Sequence, residues 1–513
     1  MKDRSTSNKR TLRHTGRTGR AWHFFFILLI LTGAAPDAGA QTPAFPFPHH
    51  TAYAGAHIQP TTYTQGELDT QTAALYTQWK AAYLKHDCGP ADQYYVLTGD
   101  GARTVSEAHG YGMMITALMA GYDPDAKQLF DGLFRYYKAH PSLLHPALMD
   151  WQQVTCDDPP GDDDDSASDG DIDIAFALLL AHAQWGSGGT IHYLAEADTL
   201  VSAVRQAEVN PLTDIVQLGD WCAPDEPAYY FGARPSDFIA DHFKCFACLD
   251  SSWNAVTSAC YNLIEDIQDE YSPATGLVPD FIVGTNTSPA PAGPYYLEDS
   301  TDGYFSYNAC RVPWRLGTDW LLYGDMRART AILKLNDWLR AATGGNPDLI
   351  SNGYRLDGSA LYDWNDPTFT APLAVAAMAD TAHPDWIDAL YDHVRAADFA
   401  EGDYYSNTLK LLSLLVISGN YWAPDCALLT TTADAPGNLP PDIFPVPART
   451  RLYLSPAPAT PVLYRIVSPT GRLICTGMWP PGGSIPVASL RPGGYVLQII
   501  SRSGVRTMKF LRE

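Results

Sequence analysis

Apolar side chains recur every three to four positions through most of the chain, with polar breaks between the segments. This spacing places the apolar residues on one face of a helix and therefore predicts amphipathic helices. The pattern predicts twelve of them, over residues 66–85, 107–120, 125–139, 171–185, 192–208, 236–249, 251–269, 309–323, 326–342, 371–380, 384–397 and 404–418. Twelve helices make six hairpins, and their number alone fits either an open helical solenoid or a closed toroid.

The pattern changes after residue 425. Residues 426–461 are rich in Pro, Ala, Thr and Asp, which is a composition typical of a linker. Residues 462–513 then alternate apolar and polar positions between Gly and Pro turns, and this alternation predicts β-strands. We therefore expect a mainly α-helical domain over residues 41–425, a Pro-rich linker over 426–461 and a small β-sandwich over 462–513.

The first forty residues have the three parts of a secretory signal peptide. A basic start precedes the apolar run Phe24–Leu31, and the small residues Ala38–Ala40 follow it. The alternative is a membrane anchor, but the apolar run is short for a membrane-spanning helix. The sequence thus predicts a secreted or cell-surface protein that is cleaved near Ala40 and begins near Gln41.

Nine cysteines follow the predicted signal peptide, an odd number that leaves at least one thiol unpaired. Export to an oxidising compartment permits disulfides among the others. Cys245 and Cys248 form the only close pair, and no second pair or His cluster accompanies them to complete a zinc site. A disulfide or plain helix packing is the better interpretation of this pair, and we expect neither a metal nor a cofactor.

Two segments combine carboxylates with glycines and small residues where a helical pattern begins: Ser106–Met113 and Ala167–Ala175. A helix start with little side-chain bulk would allow a polymeric ligand to approach the backbone closely. Carboxylates held near apolar neighbours are the usual groups for acid and base catalysis on a sugar. The two segments therefore indicate a glycoside hydrolase.

Both segments resemble the signature regions of glycoside hydrolase family 8, and the resemblance extends from about residue 47 to residue 422. The chain is most similar to the branch that contains bacterial chitosanases and mixed-linkage β-glucanases, through Tyr137–Pro141, Gln184–Gly188 and Tyr307–Arg315. This resemblance implies a closed (α/α)6 barrel whose inner helices carry the catalytic carboxylates at one end. It also implies an endo-acting enzyme that inverts the configuration of the anomeric carbon.

The resemblance assigns the proton donor and a second carboxylate. Glu107 matches the acid of the family motif, and it follows Ser106, whose side chain we expect to cap the helix. Asp169 matches a residue of the subsite where the sugar ring is distorted. Asp171 and Asp173 follow at two-residue intervals and cannot all point the same way on a helix, so we expect them to be structural, with Asp171 a weaker catalytic candidate.

The general base is where this chain differs from the larger branch of the family. That branch has an Asp where the string Tyr307–Arg311 has Asn308, and Asn has no basic form. The chitosanase-containing branch shares this Asn and takes its base from a Glu in the loop just upstream. The match points to Glu298, with Asp299 and Asp302 as alternatives because a loop alignment can slip.

Aromatic side chains stack on sugar rings and leave the polar ring edges free for hydrogen bonds. The residues that match the substrate-contacting positions of the family are Trp221, Tyr307, Asn308, Arg311, Tyr404 and Tyr405. Three other tryptophans lie within apolar helical patterns and are predicted to be core residues: Trp185, Trp314 and Trp320.

Charge is distributed unevenly along the chain. Residues 41–440 contain 53 acidic and 18 basic residues, whereas residues 449–513 contain nine basic residues and one acidic residue. An acidic body disfavours nucleic acid and anionic polysaccharides and would attract a polycation such as chitosan. Solubility alone explains this charge equally well, so it only tilts the choice of substrate toward chitosan. The resemblance to the chitosanase-containing branch implies chitosan or a β-glucan as the substrate, with xylan or cellulose alone as the alternative within the family, and we expect the protein to be a monomer. A non-catalytic carbohydrate-binding surface protein is the alternative from another functional class.

The predicted C-terminal sandwich has its own resemblance. Its segments Ser468–Arg472, Leu490–Tyr495 and Met508–Arg512 are similar to the C-terminal sorting domain of type IX secretion substrates. This similarity implies the secretion machinery as a partner. A carbohydrate-binding module is the alternative, but it would normally expose a planar set of aromatic residues, and few are available here.

Overall fold

The computed structural model describes residues 42–99, 101–156, 164–430, 442–444, 448–455, 462–468, 473–480, 484–501 and 504–512. The predicted signal peptide and part of the predicted linker lie outside the described residues. The described part is mainly helical. Its α-helices are α1 Gln65–Tyr83, α2 Ser106–Leu118, α3 Ala126–Ala139, α4 Ser168–Trp185, α5 Tyr193–Ala207, α6 Pro227–Tyr230, α7 Ala240–Phe246, α8 Trp253–Glu270, α9 Val312–Tyr323, α10 Met326–Thr343, α11 Pro367–Ala377, α12 Pro384–Ala396, α13 Tyr404–Ile417 and α14 Cys426–Thr430.

Six of these helices form a closed inner ring. Each member packs against the next in the order α2, α4, α7, α9, α11 and α13, and α13 also contacts α2. The other long helices α1, α3, α5, α8, α10 and α12 each pack on the outside against a neighbouring inner helix. The helices of the described chain therefore form a closed toroid of six inner and six outer helices, which is an (α/α)6 barrel.

The inner helices are buried on nearly all sides, as expected for helices that are enclosed by the outer ring. Nearly every residue of α4 and α11 is buried, whereas the outer helices bury one face only. Trp185, Trp314 and Trp320 are 4%, 1% and 6% exposed, so the prediction that they are core residues is confirmed.

Two helix boundaries differ clearly from the predicted ones. The predicted helix 371–380 begins at Pro367, because Asp366 accepts a hydrogen bond from the backbone of Thr368 and Pro367 occupies the first helical turn. The predicted helix 236–249 is helical only over α7, and a short 3-10 helix, Pro235–Asp237, precedes it. Ser236 and His242 of this segment are buried and form hydrogen bonds with residues of other elements. The burial pattern of the segment therefore extends beyond the residues that are helical.

Within the described ranges, two disulfides are formed, Cys88–Cys156 and Cys248–Cys426. Cys245 and Cys248 are therefore not bonded to each other, and Cys245 is a buried thiol in α7. The second disulfide attaches α14 to the barrel, and α14 also contacts α4. The helical part of the chain thus continues to Thr430, past the predicted boundary at residue 425.

The C-terminal strands form two small sheets. One has four antiparallel strands, Leu473–Trp479, Val462–Val467, Gly493–Ser501 and Gly504–Arg512 in spatial order. The other has three, Ser484–Pro486, Arg451–Ser455 and Asp442–Phe444. Buried residues from both sheets, among them Leu452, Trp479 and Leu497, form one hydrophobic cluster. Two strands of this structure lie in the segment that composition predicts to be a linker.

No helix in the described ranges is long and apolar enough to span a bilayer. Within the same ranges, no group of three or more His, Cys, Asp or Glu side chains is arranged to hold a metal ion.

Candidate active site

The N-terminal ends of the inner helices converge at one end of the barrel. Glu107 lies in the first turn of α2, Asp169 in the first turn of α4, and Arg311 directly before α9. Thr368 and Tyr405 occupy the first turns of α11 and α13. Helix N-termini carry partial positive charge and unpaired N–H groups, so this end of the barrel favours carboxylates.

An open cavity of about 390 Å³ lies at this end. It is lined by Glu107, Glu298, Tyr307, Asn308, Asp366, Thr368, Asp403 and Tyr405. The cavity therefore brings the sequence-predicted acid and base to one space, although 191 positions separate them in the chain. Three of its residues, Asp366, Thr368 and Asp403, were not predicted from the sequence.

The expectation that Ser106 caps the helix of Glu107 is wrong. The helix already includes Ser106, and its N-cap residue is Val105, which has no side-chain capping bond. Ser106 instead faces Gly170 of α4, where an added Cβ would lie 2.3 Å from the Ser106 Oγ. Gly110 and Gly170 thus allow α2 and α4 to pack closely against each other, whereas Gly112 packs against Val96 and Leu133. None of these three glycines opens the backbone to a ligand.

Glu107 is held in a site that favours its protonated form. Its side chain is 18% exposed and accepts a hydrogen bond of 2.5 Å from Nη1 of Arg311. Burial raises the pKa of Glu107 to about 7, against the opposing charge of Arg311 and with a further upward effect of Asp169. A carboxyl group with this pKa can donate a proton near neutral pH.

Arg311 connects the residues of this site. Its guanidinium is 1% exposed, and it donates to the carboxylates of Glu107 and Asp169, to Ser236 and to the side-chain oxygen of Asn308. Arg311 is absent from the cavity lining. The sequence predicts it to contact substrate, but the structure places it behind the cleft, where it orients the carboxylates.

Asp169 is buried, and its Oδ2 accepts hydrogen bonds from Arg311 at 2.7 Å and from Arg234 at 3.3 Å. Burial alone would raise the pKa of Asp169, but the charges of Arg234 and Arg311 outweigh it and lower that pKa below its usual value. Asp169 is therefore a permanent negative charge close to Glu107.

The other two acidic residues of the α4 motif point elsewhere. Asp171 accepts a hydrogen bond from the backbone of Met149, and Asp173 forms a bidentate ion pair with Arg315 and contacts His242. Both carboxylates are fully buried and lie away from the cavity lining. Their contacts are those of residues that hold helices together.

Among the three candidates for the base, only Glu298 reaches the cavity. Its Oε2 accepts a hydrogen bond of 2.7 Å from the side-chain amide of Asn308. Asp302 is buried and accepts from three backbone N–H groups of the loop, and Asp299 accepts from the backbone and hydroxyl of Thr301. Asp299 and Asp302 therefore shape the loop that carries Glu298.

The aromatic residues predicted to bind sugar lie in different places. Tyr307 and Tyr405 line the cavity, and Tyr405 donates to the backbone oxygen of Tyr307. Tyr404 is 5% exposed and packs edge-on against Tyr83. Trp221 is absent from the cavity lining and packs against an aromatic cluster with Tyr229. Two of the four aromatic residues thus form the wall next to the carboxylates.

Asp366 and Asp403 could have been noticed from the sequence. Each directly precedes a helix of the inner ring and caps it, Asp366 through the backbone of Thr368 and Asp403 through that of Ser406. An Asp before an apolar helical segment is a known N-cap signal. Their position in the cleft follows only from the convergence of the helix ends, which the sequence does not give directly.

Comparison with known proteins agrees with this geometry. Residues 64–419 match the family model described as glycosyl hydrolases family 8. A β-glucanase of Niallia circulans is 40% identical over 74% of this chain and 92% of its own length. An endoglucanase of Bacillus sp. strain KSM-330 is 36% identical over 77% of this chain and 85% of its own length.

A solved structure, the apo form of a β-1,3-1,4-glucanase from Paenibacillus sp. X4, superposes with a TM-score of 0.71. It is 40% identical and covers 74% of this chain and 100% of that chain. The residues that match the family model include Glu107, Asp169 and Glu298. The chain is a glycosidase and belongs to glycosyl hydrolase family 8.

Proposed function

We propose that this protein is an endo-acting, inverting glycosidase that cleaves internal bonds of a β-glucan, with Glu107 as the acid and Glu298 as the base. The observation that carries the proposal is the shared cavity. It holds one carboxyl group with a pKa of about 7 and one carboxylate fixed by an amide donor. The relatives named β-glucanase and endoglucanase support β-glucan as the substrate.

In this mechanism, Glu107 protonates the glycosidic oxygen while the bond from that oxygen to the anomeric carbon breaks. Glu298 takes a proton from the water whose oxygen attacks the opposite face of the same carbon. Asp169, which stays ionised between two arginines, places negative charge near the positive charge that develops on the sugar ring. Proton exchange with solvent then returns Glu107 to its protonated form and Glu298 to its ionised form.

The test is the hydrolysis of lichenan by Glu107→Gln. We expect kcat to fall by about 10²- to 10⁴-fold, the usual contribution of general acid catalysis, with the thermal unfolding temperature retained. The matched control is Glu67→Gln in the first turn of the outer helix α1, where Glu67 belongs to a capping box that Gln can also form. Nearly normal turnover in Glu107→Gln would overturn the assignment.

Chitosan is a second candidate substrate, because four carboxylates line the cavity: Glu107, Glu298, Asp366 and Asp403. Asp366→Asn and Asp403→Asn suit a test, since Asn also caps helices well and the helix ends should persist. If amino sugars bind here, both variants lose more activity on chitosan than on lichenan, and salt weakens the activity on chitosan. Equal losses on the two substrates would leave β-glucan as the substrate. Xylan and carboxymethylcellulose in the same assay test the xylanase and strict cellulase alternatives.

We also propose that the protein is exported through its signal peptide and that the C-terminal strands act as a sorting domain for type IX secretion. The support for this proposal comes from the sequence motifs and from the separate hydrophobic cluster of the two C-terminal sheets.

A further inference from the structure

Asn308 stands between the proposed base and the arginine that contacts the proposed acid. Its Nδ2 donates to Oε2 of Glu298 at 2.7 Å, and its Oδ1 accepts from Nη2 of Arg311 at 2.9 Å. Nη1 of Arg311 donates to Glu107. A continuous chain of hydrogen bonds therefore runs from Glu298 through Asn308 and Arg311 to Glu107.

The donors and acceptors of the side chains determine the direction of these hydrogen bonds. A guanidinium group has donors but no acceptor, so the oxygen of the Asn308 amide must face Arg311. The NH₂ group must then face Glu298, and the Glu298 oxygen at that position must accept. An ionised carboxylate is the better acceptor, so the arrangement favours the form that a general base needs.

The position of the Glu298 carboxylate depends strongly on its hydrogen bond with Asn308. It is exposed on a loop, and within the described chain the Asn308 amide is the only hydrogen-bond partner of its side chain. The charged groups of the surrounding elements are Arg234, Asp280, Asp299, Asp302 and Arg311, and Glu107, Asp366 and Asp403 line the same cavity. Among the described residues, none of them donates a hydrogen bond to the Glu298 carboxylate.

The backbone around Asn308 is fixed independently of its side chain. The Oδ1 atom of Asp280 accepts from the backbone N–H groups of Ser306, Asn308 and Ala309. A substitution of the Asn308 side chain leaves these three bonds in place. The side chain can therefore be changed without removing the anchor of the loop.

We propose that Asn308 is a positioning residue that orients Glu298 in its ionised form and couples it through Arg311 to Glu107. This inference rests on the proposed function, because it takes Glu298 as the base. It also explains why Asn suits this position when Glu298 is the base. An Asp would satisfy Arg311 but would place a second carboxylate against Glu298.

The experiment compares Asn308→Ala with Ser236→Ala through the pH dependence of kcat/KM on lichenan. Ser236 is the matched control, because its Oγ accepts from the same Nη2 of Arg311 at the same distance of 2.9 Å. Each variant removes one acceptor from Arg311, but only Asn308→Ala removes the donor to Glu298. Asn308→Leu, which keeps the approximate shape of Asn, is a second test variant.

We expect both Asn308 variants to lower kcat by about 10- to 100-fold, the factor that corresponds to a hydrogen bond to a charged group. We also expect the acid limb of their pH profiles to move to higher pH, since the ionised base loses a hydrogen-bond donor. Ser236→Ala should keep the acid limb of the native enzyme. All variants should unfold at similar temperatures.

The proposal is overturned if the acid limbs of the Asn308 variants coincide with that of Ser236→Ala. It is also overturned if the Asn308 variants unfold far below Ser236→Ala, because that result would assign a merely structural role to the side chain. Glu298→Gln separates these outcomes from a failure of the proposed function. If Glu298→Gln remains fully active, Glu298 is not the base, and both proposals fail together.

Discussion

A carboxyl group that donates a proton near neutral pH must resist ionisation even beside an arginine. Nη1 of Arg311 lies 2.5 Å from Glu107, and this contact by itself favours the ionised form. Two effects oppose it: burial of the carboxyl group, and the negative charge of Asp169, which shares the same Nη1. The balance leaves the pKa of Glu107 at about 7, so the surroundings of the residue suit it to an acid role.

This balance predicts the alkaline limb of the pH profile. The acid must be protonated to act, so kcat/KM on lichenan should fall as the pH rises above about 7, following the pKa of Glu107. Asp169→Asn removes a charge that raises this pKa, and Arg311 then acts on Glu107 without competition. The alkaline limb of Asp169→Asn should therefore move to lower pH. A limb that stays in place or moves to higher pH would contradict this description of the site.

At the scale of elements, a buried pair of carboxyl groups joins two helices. Asp171 in the first turn of α4 faces Glu208 at the C-terminal end of α5, and both are fully buried. Ser166 donates to Glu208 at 2.5 Å. Burial raises the pKa of Glu208 to about 8, and burial together with the charge of Glu208 raises the pKa of Asp171 well above its usual value. The pair lies at the start of α4, next to Asp169 in the sequence.

The pair predicts a pH dependence of stability. Glu208 has a pKa of about 8 in the folded state and about 4.3 when unfolded, so the stability it contributes is complete below the lower value and is lost as the pH rises through about 8. The unfolding temperature of the native enzyme should therefore fall more steeply between pH 5 and 8 than that of Glu208→Gln. Calorimetric scans at several pH values measure this difference. Parallel pH dependence in the two proteins would contradict the prediction.

The sequence predicted the helices well where apolar spacing was regular. It predicted the structure less well where contacts between distant side chains determine it. It could not choose between an open solenoid and a closed toroid by counting helices, because closure depends on the contact between α13 and α2. Its motifs pointed to Glu107, Asp169 and Glu298, whose roles remain predictions. It misjudged Ser106, Gly110 and Gly170, because these residues lie in the close contact of α2 with α4, which a local pattern does not contain.

The hydrogen bond that the Asn308 side-chain amide donates to Glu298 could not be predicted from the sequence either. The motif showed that Asn308 cannot be a base, but its role depends on which groups face its two ends. That information comes only when the loop carrying Glu298 folds over the start of α9. Long-range contacts of this kind set the chemistry of the site, whereas local patterns set only its position along the chain.

At the scale of the whole molecule, the acidic helical part and the basic C-terminal strands have different compositions and separate hydrophobic clusters. The strand Arg451–Ser455 pairs with Ser484–Pro486, so the C-terminal structure begins before residue 462. A truncation at residue 462 would leave this strand without its partner. The segment to remove as a unit is therefore 431–513, which keeps α14 and its disulfide.

We expect the protein without residues 431–513 to keep its activity on lichenan after purification, because the described residues that line the cavity all precede residue 431. In a native host with type IX secretion, the same truncation should abolish delivery to the cell surface. Activity in purified protein and in surface fractions measures the two effects. A purified truncation that hydrolyses soluble substrate normally but no longer binds insoluble glucan would instead indicate a carbohydrate-binding module.

The most direct measurement of the central claim is the configuration of the first product, followed by proton NMR during hydrolysis of lichenan. If Glu107 and Glu298 act as acid and base on opposite faces of the sugar, a β-linked substrate releases the α-anomer first, before mutarotation. Glu298→Gln should abolish this release, whereas Asp299→Asn should keep it. Initial release of the β-anomer would mean retention through a covalent nucleophile and would contradict the account.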